Sequence, residues 1–147
     1  MSDPLVFFVP SNRTDKQGRP THVDGWNEIL RAYKSGWPVG ATLERQNVHN
    51  VAAHCKAAMM RKRWKPLVVP AIVYVRFVET SRRRDIPNIY GGLKWLLDGL
   101  TRPRGKKGGA GAIVDDSQRW LAAVYPSVIV DKEHPGVWVR IESADED

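Results

Sequence analysis

Residues 71–100, AIVYVRFVETSRRRDIPNIYGGLKWLLDGL, change their hydrophobic period partway along, and that change decides the fold class. Ala71–Glu79 alternates, with Val73, Val75 and Phe77 on one side and Tyr74, Arg76 and Val78 on the other, the pattern of a β-strand. From about Asn88 to Leu100 the period lengthens. Leu93, Leu96, Leu97 and Leu100 make a helical stripe, and Pro87 suits the first turn. Working outward, Leu5–Val9 forms a short strand stopped by Pro10, and Gly25–Lys34 a short helix. Gly36–Gly40, with Pro38 inside it, is a break, and Asn47 caps a helix running to about Arg63. Val48, Val51, Ala52, Cys55, Ala58 and Met59 share one face of that helix. Two closing strands lie near Ala123–Asp131 and Val137–Ile141, joined through His134-Pro135-Gly136. The expected architecture is α+β, a small mixed β-sheet with two main helices packed on it.

A length of 147 residues favours one domain, residues 1–147, with an acidic tail from about residue 142 expected to be flexible. Cys55 is the only cysteine, so no disulfide within the chain is possible. The opening MSDPLVFFVPSN lacks the basic start and long apolar run of a signal peptide. No stretch approaches the roughly 18 apolar residues of a membrane span, so no membrane partner and a cytoplasmic location are expected. The net charge of +7 favours an anionic partner, and its distribution says more than its total. Basic residues gather at Arg61–Lys65, where cations also complement a helix C-terminus, at Arg82, Arg83 and Arg84, and at Arg102, Arg104, Lys106 and Lys107. The last two clusters are expected to contact phosphates.

Acidic residues stand beside these cations. Asp85 follows the three arginines, and Asp115 and Asp116 follow a basic, glycine-rich loop and the apolar pair Ile113-Val114. Carboxylates brought together by a fold can hold Mg²⁺ or Mn²⁺, because hard cations prefer oxygen ligands. A helix that returned the chain along the sheet would let these acids meet at one sheet end. Metal beside phosphate-binding cations points to phosphodiester chemistry. Asp98, near a helix C-terminus, is expected to be structural. The glycines of the loop lack the Lys-Ser/Thr of a nucleotide-binding loop, which makes a flexible loop the expectation and leaves no small-molecule cofactor in view. His49 and His54 lie five apart and do not make a zinc pair.

These residues resemble the RusA-type Holliday junction resolvases, a family common in phages and prophages. The resemblance rests on Arg82–Asp85, Asn88, Lys94, Leu97-Asp98-Gly99-Leu100 and Asp115-Asp116-Ser117-Gln118, with Val9-Pro10-Ser11-Asn12 near the start. It implies a homodimeric, Mg²⁺-dependent endonuclease that nicks branched DNA in recombination and repair, in a bacterial or phage-infected cell. Carried over by position, Asp85, Asp115 and Asp116 are metal ligands and Lys94 stabilises charge on the scissile phosphate. The chain departs from the family pattern at Pro87, which stands where the motif's second aspartate would fall, and by three extra residues between Asn88 and Lys94. The alternatives are a junction-binding relative without activity and a basic nucleic-acid-binding module. Metal dependence of cleavage separates them from the nuclease.

Overall fold

Four strands build one sheet in the order β1-β4-β2-β3 in a computed structural model that describes residues 3–105 and 108–144. β1 is Leu5–Pro10, β2 Ala71–Glu79, β3 Leu121–Val130 and β4 Gly136–Ser143; α1 is Trp26–Lys34, α2 Trp37–Lys62, α3 Ile86–Tyr90 and α4 Leu93–Leu100. β4 pairs antiparallel with both β1 and β2, whereas β3 runs parallel to β2 in a register from Ala71↔Leu121 to Glu79↔Val130. Parallel neighbours need a long crossover, and α3, α4 and the loop beyond them supply it. The fold is α+β with a mixed sheet. No helix among the described residues is long and apolar enough to cross a membrane.

The strand alternation sorts residues as expected. Leu5, Phe7, Val9, Val73, Val75, Phe77, Val137, Val139 and Ile141 are buried on the face that receives the helices. Val51, Cys55 and Ala58 of α2 and Trp95, Leu96 and Leu100 of α4 complete this core. Each large apolar side chain buried here contributes about 1.5–3 kcal/mol. Burial also pushes the Cys55 thiol up to about 12, so it is a core residue and not a nucleophile.

Two helix boundaries differ from the sequence expectation. α2 begins at Trp37, not at Asn47, because Gly36 takes a left-handed φ of 138° at the N-cap and Pro38 fits the first turn. Asn47 lies buried inside the helix, where its side-chain amide donates to the Asp24 carboxylate at 2.9 Å and to the Leu43 carbonyl at 3.0 Å. The single helix expected from Asn88 to Leu100 is two, α3 and α4, parted at Gly91-Gly92. A side chain at Gly91 would collide with Trp26, and one at Gly92 would press on the Asp24 carbonyl. The crossover helices therefore approach α1 by close backbone contact.

Arg84 locks this arrangement. Its guanidinium ion-pairs with Glu79 at 2.9 Å and Glu28 at 2.8 Å, and donates to the Val23 carbonyl at 3.1 Å. This corrects the expectation that Arg84 contacts phosphate: the side chain is only 14% exposed and its charge is spent inside the fold. Asp24 is buried nearby, paired with Arg13, and its carbonyl accepts from the Trp95 indole N–H at 3.0 Å. One polar layer thus ties the loop before α1 to β2, α2 and α4. Arg84→Met keeps the volume but leaves the buried Glu79 facing Glu28 without a cation. It is expected to cost about 3 kcal/mol, measured as a fall in the urea midpoint at unchanged slope.

Candidate functional site

The C-terminal end of α4 organises the site. Helix ends leave carbonyls without helical partners, and here the glycine loop folds back to satisfy them. The backbone N–H of Ala110 donates to Gly99 O at 2.9 Å and that of Ile113 to Leu100 O at 3.1 Å. Those of Gly109 and Gly111 donate to Thr101 O at 3.0 and 2.9 Å. Gly108 has a φ of 102°, and any side chain at Gly109 would strike the Gly99 backbone. Ala112 and Ile113 are then buried. The expectation of a flexible loop is therefore corrected for residues 108–113, whose glycines allow docking. Lys106 and Lys107 lie outside the described residues.

Docking carries Asp115 and Asp116 to the mouth of a cleft of about 740 Å³ between α2, α4 and the loop. Lys94, Asp98, Asp115 and Asp116 line it, with Arg102 and Arg104 from the loop and Trp37, Glu44, Arg45, His49 and Lys56 from α2. Burial holds the Asp98 carboxyl above its ordinary range. Lys94 opposes that shift, while Asp116, Glu44 and Asp115 add to it as like charges. Asp115 is held below its ordinary range, first by the backbone N–H of Asp116 and then, against some burial, by Arg104, with which it ion-pairs at 2.9 Å. Glu44 is positioned by the Tyr33 hydroxyl, which donates to it at 2.7 Å and is itself raised by that bond.

The structure thus brings together Lys94, Asp115, Asp116, Arg102 and Arg104 of the expected site. Asp85 is exposed at the N-cap of α3 and does not line the cleft, so within one chain the expected grouping of Asp85 with Asp116 is not formed. Arg82 and Arg83 are exposed beside it. Pro87 occupies the first turn of the same short helix. Asp98 takes the place expected for Asp85: its location one turn beyond Lys94 puts both on the face of α4 that meets the loop. Trp37 and Glu44 carry no site signal in the sequence while Pro38 reads as a break. Once it is taken as a first-turn proline, positions 37, 41, 44, 48 and 52 form a continuous helical stripe along the cleft.

Among the described residues, no group of three or more His, Cys, Asp or Glu side chains is arranged to hold one metal ion. Mg²⁺, however, commonly takes one or two carboxylates and completes its shell with water and phosphate oxygens. Asp98 and Asp116 both line the cleft, where Asp116 adds to the upward shift of the Asp98 carboxyl and Lys94 opposes it, and they have the donor chemistry of such a partly hydrated site.

No protein-family model matches the chain, and no curated protein or solved structure matches it either.

The raised Asp98 carboxyl has a definite consequence for stability. Between the ordinary aspartate value and the raised one, the folded chain holds a proton that the unfolded chain has released, so stability falls as pH rises through that window. Asp98→Asn removes this loss. Its urea midpoint is expected to exceed that of the native chain at about pH 7, with the difference closing at about pH 3.

Proposed function

We propose that the chain is a Mg²⁺-dependent endonuclease that nicks branched DNA such as four-way junctions by phosphodiester hydrolysis, in the manner of the RusA-type resolvases. The observation that carries this reading is the convergence of Lys94, Asp98, Asp115 and Asp116 on one cleft rimmed by Arg102 and Arg104. Asp98 and Asp116 would hold the cation, with Asp115 beside them. When bound, the ion supplies charge neutralisation at the phosphate and acidifies a water. Lys94 points its ammonium at the scissile phosphate and holds down the charge of the carboxylates around it. Arg102 and Arg104 neutralise flanking phosphates. In that step Arg104 exchanges Asp115 for a phosphate oxygen and leaves Asp115 free to turn toward the cleft. Trp37, 71% exposed at the rim, offers a flat apolar surface to a displaced base. Paired incision of a symmetric junction needs two such clefts, and one chain carries one, so the working unit is a homodimer.

Asp116→Asn and Lys94→Ala are each expected to lower Mg²⁺-dependent nicking of a four-way junction by about 10²–10³-fold while junction binding in EDTA persists. Undiminished nicking in both variants would remove the reading, and binding without cleavage by the native chain would favour a junction-binding protein without activity.

Replacing Arg102 and Arg104 together by alanine is expected to flatten the slope of log K against log salt for duplex arms by about 0.9 per lost phosphate contact. An unchanged slope would show that these arginines face solvent in the complex.

A further inference from the structure

The helices cover one face of the sheet, and strand alternation turns a second set of side chains to the other. Tyr74, Tyr125 and Trp138 are 37%, 54% and 45% exposed there. Monomeric proteins seldom leave three large rings of adjoining strands in solvent without use. The rings are ordered by one another. Tyr74 and Tyr125 stack with centroids 5.2 Å apart and an interplanar angle of 28°, and Trp138 packs on Phe8 at 4.9 Å. Arg140 lies over the Tyr74 ring at 5.7 Å, and Arg76 is the register partner of Trp138. A cleft of about 640 Å³ runs between these side chains, and no carboxylate lines it.

We infer that this face is a stacking platform for single-stranded DNA, separate from the acid-lined cleft on the helical side. Bases stack on exposed aromatic rings whatever their sequence, Arg76 beside the rings takes a phosphate, and Arg140, paired to Glu142, holds the Tyr74 ring by cation–π contact. Tyr125 and Trp138 stand two strands apart, about 10 Å, which leaves room for more than one base. Charge decides against a second copy of this chain as the occupant. A twofold interface sets each patch against itself and would bury Arg76 of both copies in one face with no free carboxylate to pair them. The nearest carboxylate, Glu142, is already spent on Arg140 at 3.0 Å and on the Tyr74 hydroxyl at 3.3 Å. A nucleic-acid strand supplies bases to stack on the rings and a phosphate for Arg76. The choice of DNA over RNA rests on the proposed nuclease function; the stacking itself does not.

The test is anisotropy of a dye-labelled oligodeoxythymidylate of about 16 nucleotides, measured in EDTA so that no cleavage intervenes. Tyr125→Ala and Trp138→Ala are each expected to weaken binding by about 5- to 150-fold, while each still unfolds in one cooperative transition at a melting temperature lowered by its lost ring pair. Tyr125→Phe and Trp138→Phe keep a ring and are expected to bind within a few-fold of the native chain. Native-like binding by the alanine variants, or loss in the phenylalanine variants, overturns the platform. So does a native dimer that Trp138→Ala dissociates in sedimentation, which would make the face a self-interface. Tighter binding of the matching oligouridylate overturns the choice of DNA. Asp116→Asn separates the two ideas: it is expected to leave oligonucleotide binding intact, so if nicking also survives in that variant, the nuclease reading fails and the platform stands.

Discussion

The parallel pairing of β3 with β2 is the constraint on which the site depends. A strand of nine residues, as β2 is, spans about 30 Å, and its parallel neighbour must begin at the opposite end from where β2 stops. The crossover therefore carries the chain back along the sheet. Asp85, just beyond the end of β2, is left at one end. The residues that immediately precede β3, Asp115 and Asp116, arrive at the other. α4 runs between, so its C-terminal carboxylate, Asp98, is the one that reaches the acid pair, and Lys94 follows one turn behind.

The return path is held by two backbone devices. At the end near Asp85, glycine contacts seat the crossover on α1, and Arg84 threads three acceptors from separate segments. At the far end, the orphan carbonyls of α4 capture the glycine loop. Burying Glu79 has a cost that Arg84 only partly offsets: desolvation still leaves its carboxyl above the ordinary range. A buried ion pair of this kind is weak evidence for added stability, and its stronger effect is on which arrangement forms. Arg84 is held inside by Glu79, Glu28 and the Val23 carbonyl, while Arg82 and Arg83 stay exposed.

β2 was legible because a period of two survives in it, and the face assignment of Val73, Val75 and Phe77 followed directly. Helix ends were less so. Pro38 and Gly91-Gly92 are residues that interrupt helices in isolation, and only their tertiary neighbours decide whether they start, divide or end one. The acid pair, Lys94 and the arginines of the loop were visible as chemistry. The partner of the acid pair was not, because nothing local distinguishes antiparallel from parallel placement of β3. The expected meeting of Asp85 with Asp116 supposed that a helix returning along the sheet brings the acids to one end, whereas a return over the length of β2 sets them at opposite ends of the chain's crossover. Asp98 reads as structural from its place against the helix dipole, and only the docked loop shows it beside the acid pair, with Lys94 partly opposing the upward shift that burial gives it.

The sheet also divides the surface by kind of charge. Its helical side gathers carboxylates and cations around a partly buried aspartate, a setting suited to an anion bridged by a cation. Its open side carries rings and arginines and is suited to flat, weakly polar groups joined by phosphates. A duplex offers only the second half of that description, since its bases are stacked on each other. A branched or unpaired strand offers all of it. If the proposed function and the stacking platform both hold, selectivity for branched over linear DNA needs no base-specific contact, because only an interrupted duplex presents phosphates to one side of the sheet and free bases to the other.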